Sequence, residues 1–243
     1  MDIEFDKECS KSISRLLLQE MKDGRFSECG RLPRETVLAE TFGISRTQLR
    51  DALAQLEREG YITRRHGVGT IINRHVLQVK NRMDMETEFM DIIRQSGYTP
   101  NVSHIHMQDE RADAFIAKKM KIPEGSEIVR ICRICTADDK PAIYCEDVLE
   151  KRYVKGDYTL KDLEPPIFIF LQKFCNIYAY MDLTQLHAVL SNDTVSEALE
   201  IPKGTPVLNM QEVDFDIDGN IILYSNQYFV DELFEQTVMR KKF

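Results

Sequence analysis

No run of apolar residues in this 243-residue chain approaches the roughly 18 needed to cross a bilayer, so no membrane span is expected. The opening residues, Met1-Asp2-Ile3-Glu4-Phe5-Asp6, are acidic and lack the apolar stretch of a secretory signal. Together these absences predict a cytoplasmic protein. Cysteines number only six (Cys9, Cys29, Cys132, Cys135, Cys145 and Cys175), and without an export signal they are expected as reduced thiols. Cys132-Arg133-Ile134-Cys135 has the C-x-x-C spacing, but Ile128 to Cys135 alternates like a strand. Strand positions three apart face opposite sides of a sheet and cannot chelate one metal together. No other His/Cys cluster has ligand spacing, and no cofactor is expected.

Positive charge is in deficit as well. The net charge of −8 argues against a general nucleic-acid coat, yet its distribution is uneven. Residues 1–75 hold 13 Lys+Arg against 12 Asp+Glu, whereas the remaining 168 hold 19 against 28. Within residues 30–75 the count is 8 basic to 5 acidic, with two His besides. A local basic surface on an acidic chain suits a docked module better than a polyelectrolyte. Hydrophobic residues make up 43%, enough for the cores of two modest domains.

Periodicity supplies the organisation. Lys7 to Lys22 reads as an amphipathic helix with Ile13, Leu16, Leu17 and Met21 on one face. A second, short helix runs from Arg34 to Thr41 and stops at Gly43. Ser45 occupies an N-cap position, and Arg46 to Glu59 forms a third helix with Leu49, Ala52, Leu53 and Leu56 as its apolar stripe. Tyr61–Arg65 and Thr70–Ile72 then flank the glycine-bearing tip His66-Gly67-Val68-Gly69 as a hairpin. Three helices and a hairpin spell a winged helix-turn-helix. Opposite the stripe of helix three, Arg46, Thr47 and Arg50 project as a recognition helix would present them, and an Arg there can donate two hydrogen bonds to guanine. Ser45 and Thr47 suit phosphates at the helix N-terminus. Arg64, Arg65 and His66 place basic groups on the wing.

Residues 75–86 show no clean period and read as a linker, dividing a DNA-binding domain at 1–74 from a second domain at 87–243. The second domain carries an internal repeat. Ile122-Pro-Glu-Gly-Ser-Glu-Ile-Val129 matches Ile201-Pro-Lys-Gly-Thr-Pro-Val-Leu208, each after a short helical segment (Ala112–Met120, Thr194–Leu199) and before a hairpin. Such halves are expected to merge into one antiparallel sheet with a ligand cleft at their seam, giving an α+β chain overall.

The run from Gly30 to Thr70, including Leu32-Pro-Arg-Glu-Thr36, Gly43-Ile-Ser-Arg-Thr-Gln-Leu-Arg50 and Gly60-Tyr-Ile-Thr-Arg-Arg-His-Gly-Val-Gly69, resembles the DNA-binding domain of GntR-type bacterial transcription regulators. The resemblance implies base and phosphate contacts from Arg46, Thr47 and Arg50 and a minor-groove wing at His66 and Gly67, beside which Arg65 joins the expected DNA-binding set. The family usually writes Leu-Pro-Ser-Glu-Arg; here Arg34 and Thr36 stand at the two changed positions, so both join the expected DNA-binding set with Ser45. Asn81 to Lys242 resembles the HutC-type effector domain, or UTRA, whose fold is like chorismate lyase. Its carriers are Gly97-Tyr-Thr-Pro100, both Ile-Pro-x-Gly turns, Ala137-Asp-Asp-Lys-Pro141, Glu146 and Tyr224-Ser225. The resemblance implies a homodimer that binds an inverted-repeat operator in double-stranded DNA and responds to a small molecule.

For that molecule the resemblance implies a pocket of Phe89, Met90, Arg133, Cys135, Glu146, Phe168 and Tyr224. Alternation alone reads Arg133 as a strand arginine facing solvent, while the resemblance turns it into the pocket. Phosphosugar-binding relatives carry a second Arg where Cys135 stands and polar groups near Met90, Pro166 and Phe168. The expected effector is therefore a singly anionic metabolite with an apolar body, clamped by Arg133, with Glu146 accepting from a hydroxyl or amine. Two other classes share this fold: an enzyme of the chorismate-lyase kind, for which no nucleophile–base pair or metal set is visible, and a dimerisation module without a ligand.

Overall fold

The structure, a computed structural model, describes residues 2–242, with side chains described from residue 12 onward; the side chain of Cys9 thus lies outside the described residues. The chain divides into two compact units, Met1–Val79 and Lys80–Phe243.

The first unit opens with α1 (Asp2–Lys22), α2 (Glu35–Phe42) and α3 (Arg46–Arg58). Leu17 and Met21 of α1 and Leu49, Leu53 and Leu56 of α3 lose all their solvent exposure. Ser14 joins the two helices, its hydroxyl donating to Gln55 Oε1 at 3.0 Å. α2 stops at Gly43, whose φ of 63° is left-handed and open to glycine at no steric cost. Two residues later α3 begins with a reciprocal cap: Ser45 Oγ accepts the Gln48 N–H, and Gln48 Oε1 accepts the Ser45 N–H. β1 (Ile62–Arg65) and β2 (Gly69–Ile72) pair antiparallel as the wing. A single turn, α4 (Arg74–Leu77), follows, and Arg74 donates to the carbonyls of Phe26 and Cys29.

The second unit runs β3 (Asn81–Arg82), α5 (Phe89–Gln95), β4 (Pro100–Arg111), α6 (Ala114–Met120), β5 (Glu127–Ala137), β6 (Lys140–Glu150), α7 (Ile167–Phe170), β7 (Met181–Leu190), α8 (Asp193–Leu199), β8 (Pro206–Phe215), β9 (Ile221–Val230) and β10 (Gln236–Thr237). Six of these strands form one antiparallel sheet in the order β4-β5-β6-β9-β8-β7. The order mirrors itself about the β6–β9 pair, so each half is strand, helix, hairpin. The repeat read in the sequence is thus the turn between helix and hairpin. In both copies the helix is capped by an Asx side chain, Asp113 or Asn192. Each helix closes on a left-handed residue, Lys121 (φ 54°) or Glu200 (φ 53°), two positions before its proline. The opening strand of each half carries no Ile-Pro-x-Gly signal and was not part of the repeat seen in the sequence.

α6 and α8 cover one sheet face, packing on Ile128, Val148 and Tyr224 and on Ile134, Tyr144 and Val207. The opposite face takes Leu163, Phe170 and Leu171 against Val129, Ile131 and Leu149, and α5 against Cys135, Ile143 and Phe229. Residues 75–86 are not the bare linker expected. Val76 and Leu77 are buried in the first unit. Asn81 and Arg82 are buried in the second as β3, paired in parallel with β10.

Candidate DNA-reading surface and effector cavity

On the first unit, Arg46, Thr47 and Arg50 are exposed on the face of α3 opposite its buried leucines. Neither arginine forms an ion pair among the described residues. Ser45 is exposed too, but its hydroxyl is engaged with Gln48 in the cap. Arg34 sits at the N-terminal boundary of α2, and both it and Thr36 face solvent. On the wing, Arg65, His66 and Gly67 are exposed at the tip, whereas Arg64 is held 2.8 Å from Glu57. Leaving Arg64 aside, the exposed basic groups of this surface are Arg46 and Arg50 on α3, Arg34 before α2, and Arg65 and His66 at the wing tip.

In the second unit a cavity of about 230 Å³ opens between the sheet and the segments over it. That is below the roughly 300–1,000 Å³ of sites for drug-sized ligands, and fits a small metabolite. The sheet supplies Arg133, Cys135, Asp147, Ser225 and Gln227 as its floor. Residues 81–90 and 164–168 form its walls, with Gln236 of β10. Met90, Phe168, Met210 and Phe229 give it an apolar side.

Strand parity sorts the expected pocket residues. Phe89, Met90, Arg133, Cys135 and Phe168 line the cavity; Glu146 and Tyr224 do not. Both lie on the sheet's other face. Glu146 accepts from Tyr144 Oη at 2.8 Å, and Tyr224 packs with α6. Their chain neighbours Asp147 and Ser225 face the cavity instead, since successive strand residues alternate sides. The same alternation puts Cys132 and Cys135 on opposite faces.

Arg133 is neither solvent-facing nor a free anion clamp. It is 3% exposed, and its Nη2 donates to Asp147 Oδ2 at 2.8 Å while Nη1 donates to the Pro165 carbonyl at 3.1 Å. Asp147 takes a second bond from Ser225 Oγ at 2.6 Å. The charge that was to hold an effector anion is already neutralised. Arg82, the other cation in the lining, is likewise paired with Asp84.

Those pairings leave Glu86, Glu88, Glu164, Asp182 and Glu212 in the lining with no cationic ion-pair partner among the described residues. Sequence reasoning missed them. Glu86 and Glu88 lie in or beside the supposed linker, and Asp182 and Glu212 come from strands that only sheet pairing brings together. Burial, reinforced by Glu86, lifts Glu88 to about 7. Burial likewise lifts Glu212 to about 7, against a hydrogen bond from Thr184 and with Asp182 adding to the rise. Asp214, directly across from Asp182 and 1% exposed, is pushed to about 9 by burial and then by Glu212.

These shifts have a sign. A carboxyl whose folded pKa exceeds its unfolded value near 4 stabilises the fold most below that value, and loses the contribution as pH rises through the folded pKa. The second unit is therefore expected to melt progressively lower from about pH 4, through the Glu88 and Glu212 values near 7, to about pH 9, where Asp214 finishes the loss. Asp214→Asn should flatten the upper part of that slope. An unchanged slope in thermal unfolding of the variant would contradict the burial argument for Asp214.

The profile described as bacterial regulatory proteins, gntR family, matches residues 9–72, and that of the UTRA domain matches residues 95–235. The chain is 24% identical over 221 residues to the HTH-type transcriptional repressor NagR of Bacillus subtilis (strain 168), spanning 89% of this chain and 88% of that one. It is 21% identical over 206 residues to the probable fructoselysine utilization operon transcriptional repressor of Escherichia coli (strain K12), spanning 84% and 83%. Among solved structures, the possible transcriptional regulator YydK from Bacillus subtilis subsp. subtilis str. 168 superposes with a TM-score of 0.78 at 16% identity, over 96% of this chain and 99% of that one. That likeness speaks to the fold, which is a winged helix-turn-helix followed by an antiparallel-sheet effector domain. With both profiles matched, the chain belongs to the gntR family of bacterial transcription regulators, carries a UTRA domain, and is not an enzyme.

Proposed function

We propose that the protein is a cytoplasmic, homodimeric repressor whose affinity for an inverted-repeat operator is set by a small molecule in the cavity of the second unit. One observation carries the reading: two exposed arginines, Arg46 and Arg50, stand one turn apart at the start of a capped helix in the same chain as a cavity of metabolite size. The first can reach base edges; the second can bind a ligand. The repressor names of NagR and the fructoselysine regulator support the sign of the effect. Among the described residues no helix is long and apolar enough to cross a membrane.

A second copy of the chain is the natural occupant of β7. It is an edge strand exposing Leu183, Leu186 and Leu190, and a bare apolar edge invites pairing. The two-fold axis of a homodimer would impose a two-fold DNA site. Regulation follows by linkage: an effector that prefers the arrangement unable to span both half-sites lowers operator affinity by the ratio of its affinities for the two arrangements.

Two measurements test this. Footprinting is expected to protect two half-sites in inverted orientation, with a scattering mass of twice the chain. Full-affinity protection of a single half-site by a monomer would overturn the dimeric reading. Insensitivity of operator binding to every ligand that raises the melting temperature would overturn the effector role.

A further inference from the structure

Accepting the cavity as the effector site, we infer that its occupant is an organic ammonium ion: a small amine whose charged head lies among Glu88, Asp182 and Glu212 and whose apolar body lies against Met90, Phe168 and Phe229. This reverses the charge expected from the sequence, and three observations carry it.

The first is charge. Each guanidinium in the lining is committed to a carboxylate, Arg82 to Asp84 and Arg133 to Asp147, and further carboxylates remain without a cation. These acids come from separate elements: Glu88 precedes α5, Asp182 lies on β7 and Glu212 on β8. All line the one cavity, where Glu212 feels Asp182 and Glu86, Glu86 feels Asp182, and Glu88 feels Glu86 along with the opposing charge of the already paired Arg133. An anionic ligand would enter a field of its own sign, whereas an ammonium supplies the missing countercharge.

The second observation concerns hydrogen bonds and does not depend on charge. Two nearly fully buried amides in the lining, Asn81 (2% exposed) and Gln227 (4% exposed), hold an oxygen with no partner, Oδ1 and Oε1 respectively. Buried acceptors are costly when unmet. An ammonium has three N–H donors and no acceptor, which complements orphaned oxygens. Unpartnered donors are also present at Arg133 Nε and Gln236 Nε2, leaving room for one oxygen on the ligand body.

Shape and spacing give the third. No group of three or more His, Cys, Asp or Glu among the described residues is spaced to hold a metal ion, so an organic cation with an apolar body fits the lining better than a bare one. The side chains of Phe168 and Phe229 give the apolar body a surface to cover.

The test uses the full-length protein and three probes sharing one chain but differing in head: hexylamine, hexanol and hexanoate, with spermidine as a polycation. Calorimetry is expected to give hexylamine or spermidine an affinity at least about tenfold above hexanol, with no measurable hexanoate binding. Glu212→Gln and Glu88→Gln, near-isosteric changes, should each weaken the amine by about tenfold or more and leave hexanol unaffected. Hexanoate binding as tightly as hexylamine overturns the inference, as does equal binding of alcohol and amine, or failure of both amines at millimolar concentration. The two readings fail separately. Amine binding in the cavity with operator affinity unmoved would sink the effector role and keep the amine site. Operator release by hexanoate but not by the amines would do the reverse.

Discussion

Arg46→Ala and Arg50→Ala are each expected to abolish specific operator binding while leaving the fold intact. Both side chains are exposed on the face of α3 away from Leu49, Leu53 and Leu56, so truncation costs little packing. A well-placed Arg–guanine pair contributes about 1–3 kcal/mol of discrimination, and a dimer loses it in both reading heads. The specific complex should then weaken by about two orders of magnitude or more, because every 1.4 kcal/mol is a factor of about ten. Melting temperatures should stay within about a degree or two, as befits surface changes of at most ~0.5 kcal/mol. Gel-shift titration at fixed salt checks the first part and calorimetry the second. Wild-type operator affinity in both variants would remove α3 as the reading element.

Arg133 yields the second large effect, and it is one of stability. Replacing it with Met leaves the Asp147 carboxylate, 2% exposed, with Ser225 as its remaining hydrogen-bond donor. Breaking one partner out of a buried ion pair typically costs about 3–5 kcal/mol, a large share of the stability of a small domain. The double variant Arg133→Met/Asp147→Leu removes both charges and should regain most of that loss. Chemical denaturation of the two variants measures the difference. An Arg133→Met protein as stable as wild type would show that the pair is not the anchor its geometry describes. Loss of ligand binding in Arg133→Ala is therefore no evidence of a clamp, since an unfolded or loosened floor would lose the ligand as well.

The helices and wing of the first unit were legible in the sequence because their signals are local. Ser45 and Gln48 cap the helix they adjoin, and Gly43 ends the helix before them. The duplicated halves were legible for the same reason, as each Ile-Pro-x-Gly turn is a short contiguous unit. The cavity was not. The central strands β5, β6 and β9 are covered on both faces, and in such strands hydrophobic alternation does not say which side is which. A single step along the chain separates Glu146 from Asp147 and Tyr224 from Ser225, and it moves a side chain to the other face. Asp182 and Glu212 are separated by a helix and a turn in sequence, and only the β7–β8 pairing makes them neighbours. Arg133 was expected in the pocket as a free anion clamp, because its partner Asp147 was invisible without the register that sets β5 beside β6.

The short parallel pairing of β3 with β10 has a mechanical consequence. Asn81 and Arg82, the first residues after the reading head's unit, are at once strapped to Gln236 and Thr237 and built into the cavity wall. On the proposed function, a molecule seated there is expected to act directly on the segment that joins the two units, with no relay through the rest of the sheet. Where a graft is spliced is then expected to decide whether it still responds: a foreign head joined between Val79 and Lys80 should inherit that segment, while one joined after Glu88 should lose it and with it the response to ligand.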